Sequence, residues 1–295
     1  MNNLHISLLL NCCYLVLLTT ACETQNTIED APVKNVATTT TSNSKANLIV
    51  QIDSLGVLDS IENKNSSTYE RVQFHSLDSL LIDANYYPAN PASPSILLCH
   101  QARWNKYEYD SIAVVLQKKG YNCLAIDQRS GGFMSLDKIH PINATYQRAV
   151  AAKLPTEYLD AEQDIIAAIN YLYKKSQRPI ILWGSSYSST LALYNGLNND
   201  KVAAVISFSP GDYLSEQKGS LTPLIAASPK PFFMTSSQKE AEEVQLLIQG
   251  KELNKQQIQF IPKAYGQHGS SALWASKIDH EEYWAAVLNF LEQLN

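Results

Sequence analysis

The chain has 295 residues, of which 45% are apolar and 17% are charged, so it is long enough to bury a sizeable hydrophobic core. Its formal net charge is −5, and no run or stripe of Lys and Arg occurs, which argues against a nucleic-acid partner. The Cys and His residues do not have the spacing of a metal site, so the sequence predicts no metal.

The first 22 residues contain no Asp, Glu, Lys or Arg, and residues 6–18 are mostly apolar. This run is too short and too interrupted for a membrane-spanning helix, and it is typical of an export signal. It ends in Leu18-Thr19-Thr20-Ala21-Cys22, which resembles the lipobox of bacterial lipoproteins. The resemblance implies a signal peptide over 1–22, a lipid anchor at Cys22 and a place on the periplasmic or surface face of the bacterial cell envelope. A simple cleaved signal and an uncleaved anchor are the alternatives.

A polar segment follows the signal. Residues 23–45 are rich in Thr, Asn, Ala and Ser and have no lasting hydrophobic period, which is typical of a tether. Residues 46–68 contain scattered aliphatic side chains that could pack on the domain as an extra element. We therefore interpret 23–68 as a polar tether with a possible packing extension, and 69–295 as the folded domain.

From residue 69 onward, short apolar runs alternate with runs of helical period, which predicts a mostly parallel sheet with helices on both faces. Strands are predicted over 71–75, 79–87, 95–100, 121–126, 179–183, 202–208, 231–235 and 257–262, the first two as a hairpin. Helices are predicted over 107–119, 157–175, 187–196 and 279–294, and one more after residue 235 reaches about Gly250. Asp279 and Glu282 are predicted to form a capping box at the last helix.

The pentapeptide Gly184-Ser185-Ser186-Tyr187-Ser188 follows one apolar strand and opens a helix. A nucleophile on such a tight turn projects from the backbone, and small residues two positions away on each side let strand and helix approach closely. Gly184 and Ser188 are these small residues. The pattern predicts Ser186 as a nucleophile. The alternative is a Ser-rich cap on an ordinary helix.

The order of these elements resembles the α/β-hydrolase superfamily, and within it the esterases and dienelactone-hydrolase-like members. The resemblance covers roughly residues 69–295 and includes the stretch from Gly120 to Gly132, which is similar to the fourth strand of that family and the turn after it. It implies the α/β-hydrolase fold with a mostly parallel, eight-stranded sheet. It also implies that Asp127 and Arg129 tie loops together and have a structural role.

The same resemblance implies a base and an acid after the late strands. His268, in the loop between the last strand and the last helix, matches the base. Glu240 matches the acid by alignment of strand ends, and Asp212, just past the sixth strand, is the alternative. Glu242 and Glu243 lie close to Glu240 and fit a solvated first helical turn.

The family also places a His-Gly pair after the third strand, where a backbone N–H helps to form the oxyanion hole. This chain has His100-Gln101-Ala102 instead. The N–H groups of Tyr187 and Ala102 are the predicted oxyanion donors, with Gln101 as the rival of Ala102. His100 is expected to be structural.

Together these residues predict a serine hydrolase that cleaves an ester or related acyl bond in a small molecule or carbohydrate, with no cofactor. An acyltransferase, a thioesterase or a peptidase would use the same triad. A catalytically silent binding lipoprotein that kept the fold is the alternative of a different class. The segment from 130 to 155, with Phe133 and Met134, is predicted to shape the entrance to the pocket. The sequence does not indicate an oligomeric state.

Overall fold

An eight-stranded sheet crosses the domain in the computed structural model, which describes residues 68–132 and 142–294. Its strands are β1 (Glu70–His75), β2 (Leu81–Tyr87), β3 (Ser95–Cys99), β4 (Asn122–Ile126), β5 (Ile180–Ser185), β6 (Val202–Phe208), β7 (Phe232–Thr235) and β8 (Gln257–Phe260). Their order is β1-β2-β4-β3-β5-β6-β7-β8. The pairs β1–β2 and β2–β4 are antiparallel, and the other pairs are parallel. The predicted sheet and its opening hairpin are confirmed.

The helices of the described residues are α1 (Asp110–Lys118), α2 (Ala144–Ala151), α3 (Glu162–Ser176), α4 (Tyr187–Gly196), α5 (Ser215–Lys218), α6 (Leu221–Ala227), α7 (Ala241–Leu247) and α8 (His280–Glu292). Short 3-10 turns occupy Lys106–Tyr109, Leu159–Ala161, Gln238–Glu240 and Ser270–Leu273. The sequence did not predict α2, α5 and α6, which are all short.

Helices cover both faces of the sheet. Successive side chains of a strand point to opposite faces, and β3 follows this rule. Leu97 and Cys99 pack in one apolar cluster with residues of α3, α4, α6 and α7. Ile96 and Leu98 pack in the other cluster with residues of α1 and α8. The central strands are thus buried on both faces of the sheet.

Two predicted helices begin later than expected. The segment predicted as a helix from 107 starts as the 3-10 turn Lys106–Tyr109, where the Asn105 side chain accepts a hydrogen bond from the Tyr107 N–H at 3.0 Å. Regular α-helix follows only from Asp110. The helix predicted from 157 likewise opens with a 3-10 turn and is regular only from Glu162.

The capping box predicted at the start of α8 is wrong. Asp279 stands at the N-cap, but its side chain makes no hydrogen bond to the helix. Its Oδ2 instead accepts from the Gly266 N–H at 2.9 Å, and a Glu282 carboxylate oxygen accepts from the Lys263 N–H at 3.2 Å. Both carboxylates therefore fasten the chain just before His268 to the last helix.

Several predictions concern residues that the structure does not describe. The signal peptide with Cys22, the tether and extension up to residue 67, and the pocket residues Phe133 and Met134 lie outside the described residues. Over 68–132 and 142–294, no helix is both long enough and apolar enough to span a bilayer. Cys99 and Cys123 are both buried and carry free thiols.

Candidate active site

Ser186 lies on the sharp turn between β5 and α4. Its φ and ψ are 56° and −128°, a conformation that a non-glycine residue adopts only under strain. The Ser186 N–H donates to the Phe208 carbonyl at 2.8 Å, which fixes the turn to the neighbouring strand β6. The side chain is half-buried and stands at the carboxyl edge of the sheet. This is the geometry predicted for a nucleophile on a strand-to-helix turn.

The small residues around this turn have different reasons to be small. A Cβ on Gly184 would lie 2.2 Å from the Ser188 carbonyl oxygen, so only glycine fits there. Ser188 is fully buried, and its hydroxyl lies within hydrogen-bond distance of the carbonyls of Ser185, at 2.9 Å, and Cys99, at 3.0 Å. Ser188 therefore holds the start of α4 against the end of β3, which explains how a serine is accommodated where the α/β-hydrolase pattern has glycine.

Ser186, His268 and Glu240 follow different strands, but His268 lies between the other two and contacts both. The His268 Nε2 lies 2.9 Å from the Ser186 Oγ. On the other side of the ring, Nδ1 makes a short hydrogen bond to the Glu240 Oε1. Because a carboxylate can only accept, Nδ1 carries the proton and Nε2 of the neutral ring is left to accept the serine hydroxyl. The structure thus brings the predicted nucleophile, base and acid into one hydrogen-bonded chain.

The Glu240 carboxylate is held by more than the histidine. Its Oε2 accepts from the Ser237 N–H at 3.1 Å, the Ser237 Oγ at 2.7 Å and the Ser209 Oγ at 3.0 Å. Ser237 and Glu240 form a capping box at a 3-10 turn. Burial alone would raise the pKa of Glu240, but the hydrogen bonds from His268 and Ser237 outweigh it and lower the pKa to about 2. Glu240 is therefore ionised at neutral pH.

The hydrogen bond to Glu240 raises the pKa of His268 above its ordinary value, against the opposing effect of burial. The nearby charge of Glu108 acts in the same direction. The His268 side chain is 42% exposed, so a substrate can reach the ring edge that faces Ser186. A base with a raised pKa takes the serine proton more readily once it is neutral.

The alternative acid Asp212 does not contact His268. Asp212 is exposed, and its carboxylate accepts from the Leu221 N–H at 3.3 Å. Glu242 and Glu243 are exposed in the first turn of α7, as expected for a solvated helix start. Of the candidate acids, Glu240 is the one placed at the histidine.

The two predicted oxyanion donors have no protein acceptor among the described residues. Within the described part of the chain, neither the Ala102 N–H nor the Tyr187 N–H donates a hydrogen bond to a protein group. The rival donor Gln101 is not free, because its N–H donates to the Glu108 Oε2 at 2.7 Å. The geometry therefore favours Ala102 over Gln101 as the partner of Tyr187.

The loop after β3 has Gln101 where the α/β-hydrolase pattern has glycine, and its backbone at this position is not left-handed. Gln101 does not have a positive φ, and the left-handed residue of this loop is Arg103, with a φ of 64°. His100 is fully buried, its Nδ1 donates to the Gln101 carbonyl at 2.7 Å, and its Nε2 accepts from the Gln128 N–H at 3.0 Å. Burial lowers the pKa of His100 to about 4, so the ring is neutral and serves as a brace for the loop.

Asp127 and Arg129 tie loops together as expected. Asp127 is fully buried and accepts from the Lys106 Nζ at 2.7 Å and from the Ala144 N–H at 3.1 Å. Arg129 is also fully buried and pairs with Asp164 at 2.8 Å and with Asp78 at 2.6 Å. These pairs join the turn after β4 to α2, to α3 and to the β1–β2 turn.

Sequence reasoning missed three polar residues beneath the site. Ser209, after β6, donates to Glu240 and accepts from the Gly269 N–H at 3.0 Å. Ser185 and Glu108 form a buried pair, with the Ser185 Oγ 2.7 Å from the Glu108 Oε1. Ser209 could have been suspected because it directly follows a strand, whereas Glu108 has no distinguishing local pattern.

Over residues 68–132 and 142–294, no group of three or more His, Cys, Asp or Glu residues is arranged to hold a metal ion. The polar groups at the carboxyl edge of the sheet are instead a serine, a histidine, carboxylates and free backbone N–H groups. Such a set can transfer protons and stabilise a developing oxyanion.

No family model matches the chain. The acyltransferase drtE of Aspergillus calidoustus is 26% identical to it over 164 residues, which are 54% of this chain and 50% of that protein. The chain thus spans about half the length of this curated relative.

Solved structures resemble the chain over a larger part of its length. An esterase of Pyrococcus furiosus superposes with a TM-score of 0.58 and 18% identity, covering 76% of this chain and 90% of that one. The α/β hydrolase GrgF of Penicillium sp. sh18 superposes with a TM-score of 0.53 and 16% identity, covering 76% and 98%. With the strand order described above, these likenesses establish that the chain has the α/β-hydrolase fold.

Proposed function

We propose that this chain is a serine hydrolase that cleaves an ester or related acyl bond, with Ser186 as nucleophile, His268 as general base and Glu240 as the acid that orients the histidine. The observation that carries the proposal is the continuous contact from the Ser186 Oγ through both nitrogens of His268 to the Glu240 carboxylate. The three residues follow three different strands, and a chance arrangement is a poor explanation for their meeting at one place.

In the first half-reaction, the Ser186 Oγ attacks the acyl carbon while the His268 Nε2 takes the hydroxyl proton. The free N–H groups of Ala102 and Tyr187 donate to the oxygen that becomes negative. His268 then gives its proton to the leaving alcohol as the bond to the acyl carbon breaks, which leaves an acyl-serine.

In the second half-reaction, water replaces the alcohol. His268 takes a proton from the water as it attacks the acyl-serine, and it returns the proton to the Ser186 Oγ as the acid leaves. Glu240 remains ionised and stabilises the charged ring in both steps. The substrate we propose is an ester of a small molecule or carbohydrate, because the sequence has no insertion long enough for a large lid.

Labelling with a fluorophosphonate probe tests the assignment, since such probes react with an activated serine. We expect stoichiometric labelling of the wild type, none of Ser186→Ala, and wild-type labelling of the control Ser215→Ala on α5. Hydrolysis of short-chain p-nitrophenyl esters should follow the same pattern. Absence of labelling and of hydrolysis in the folded wild type would instead support a silent binding protein.

An acyltransferase is the second candidate, and the similarity to drtE favours it. In that case an alcohol or amine would take the acyl group from Ser186 in place of water. Product analysis with an added acceptor alcohol separates the two. A transferase gives mainly the new ester at acceptor concentrations far below that of water, and a hydrolase gives the free acid.

We also propose that a lipid at Cys22 anchors the chain in the bacterial cell envelope. The support is the sequence before Cys22 and the polar segment after it. Metabolic labelling with a fatty acid analogue should mark the wild type and not Cys22→Ala, and the variant should leave the membrane fraction. Equal labelling of the wild type and of Cys22→Ala would refute this proposal.

A further inference from the structure

A second carboxylate lies beneath the site and has no part in the mechanism above. Glu108 is fully buried in the 3-10 turn before α1. Its Oε2 accepts from the Gln101 N–H at 2.7 Å, one residue before the oxyanion donor Ala102. Its Oε1 accepts from the Ser185 hydroxyl at 2.7 Å, one residue before Ser186. One carboxylate therefore sets the distance between the loop that contains Ala102 and the turn that contains Ser186.

The same carboxylate reaches the histidine loop through Ser185. The Ser185 Oγ accepts from the Ser270 N–H at 2.9 Å, two residues after His268. The Glu108 backbone carbonyl also accepts from the Trp274 Nε1 at 2.9 Å, at the end of that loop. The loops that carry Ala102, Ser186 and His268 thus converge on Glu108.

Each oxygen of the Glu108 carboxyl lies within hydrogen-bond distance of a group that can donate to it. Burial raises the pKa of Glu108, and although the hydrogen bonds from Gln101 and Ser185 and the charge of His268 oppose this, the resulting pKa is about 7, so the carboxyl becomes ionised as the pH rises past neutral. The charged or titratable groups that face it are His268 and Tyr109. Among the residues that the structure describes, Glu240 and Glu108 are the charged groups that shift the pKa of His268.

We propose that Glu108 is a positioning residue for acyl transfer, which holds Ala102 and Ser186 at a fixed spacing and, when ionised, places a second negative charge near His268. The proposal rests on the function proposed above. A buried carboxylate is a costly way to join two loops, since a neutral side chain could accept or donate the same bonds. Its charge has an effect where the imidazolium forms, because the histidine becomes positive when it takes the serine proton.

The test compares Glu108→Gln, which keeps the size and loses the charge, with Glu108→Asp, which keeps the charge and loses one methylene of reach. Glu162→Gln on α3 is the matched control, because Glu162 is paired with Lys218 away from the site. Circular dichroism and urea unfolding first establish that each variant is folded. Steady-state kinetics on a p-nitrophenyl ester are then measured across the pH range.

For Glu108→Gln we expect kcat to fall about 10- to 100-fold, the size of effect that misplaced oxyanion donors produce, with KM changed less than about 3-fold. The acid limb of kcat/KM should move to lower pH by about half a unit, because one of the two charges that raise the pKa of His268 is gone. Glu108→Asp should lower kcat while its acid limb stays near that of the wild type. Glu162→Gln should match the wild type.

Wild-type kcat in folded Glu108→Gln overturns the proposal, and so does a lower kcat with an unmoved acid limb, since that result assigns Glu108 to packing alone. If Glu108→Gln does not fold, Ser185→Ala is measured in its place, and an unchanged kcat in that folded variant overturns the proposal. Failure of the proposed function has a different signature, because the wild type would then be neither active nor labelled at Ser186.

Discussion

Replacing Glu240 with Gln keeps the shape of the side chain and removes the charge that we propose orients His268. The pKa of the Glu240 carboxyl is lowered from its ordinary 4.5 to about 2, because hydrogen bonds from His268 and Ser237 outweigh the effect of burial. A pKa change of this size corresponds to about 3 kcal/mol of free energy of unfolding. The Glu240 side chain is 24% exposed, so solvent screens only part of it.

The sign of this contribution follows from the direction of the pKa change. A carboxyl with a depressed pKa in the folded state stabilises the protein above its unfolded pKa of 4.5, and the contribution is lost as the pH falls towards 2. The difference in free energy of unfolding between wild type and Glu240→Gln should therefore be greatest at neutral pH and disappear near pH 2. Urea unfolding across the pH range measures it.

Activity should respond to the same substitution in two ways. The maximum rate should fall about 100- to 10,000-fold, because a neutral amide no longer fixes the tautomer of His268 or stabilises the charged ring. The acid limb of kcat/KM should move to lower pH, because the hydrogen bond that raises the pKa of His268 loses its charge. Glu242→Gln, at an exposed position of α7, is the matched control. A folded Glu240→Gln variant with near-wild-type kcat and an unmoved acid limb would refute the role of Glu240.

Two further predictions concern the supports of the site. Gly184→Ala should lower the free energy of unfolding by about 3 kcal/mol, because the new Cβ would lie 2.2 Å from the Ser188 carbonyl oxygen, and it should abolish fluorophosphonate labelling. A folded variant with wild-type labelling would contradict the close approach. Asp164→Asn should lower the free energy of unfolding, measured in urea, by about 3 to 5 kcal/mol. The reason is that the buried Arg129 guanidinium is left with Asp78 as its ionic partner among the described residues. Its acid limb in the pH profile should not move, and a moved limb would show that Asp164 acts on the site.

The position of Ser186 and His268 could be predicted because each depends on local pattern and chain order. An apolar strand followed by Gly184 and a helical period specifies the turn. The last loop before the last helix contains His268 and no other histidine. The other reactive positions depend on how separate loops approach one another, which a single sequence does not encode in any local pattern.

The proposed acid and the proposed second oxyanion donor show this limit. Strand-end alignment favoured Glu240 but left Asp212 open, and the choice follows from the direction in which each side chain leaves its loop. Likewise Ala102 and Gln101 are adjacent and equally able to donate. Ala102 is the free donor because Glu108 occupies the Gln101 N–H, and Glu108 belongs to a later element of the chain.

Glu108 itself illustrates why local rules fail at such a position. In the sequence, a Glu at the start of a helix has a sufficient surface explanation, since acidic residues there interact favourably with the helix dipole. The structure buries this Glu completely and joins it to Ser185, which lies 77 residues away in the chain. Burying a residue whose local sequence favours the surface lowers the stability of the fold. Folding alone therefore does not explain why such a residue is present. That disagreement is the physical reason to test Glu108 for a role in the reaction as well as in packing.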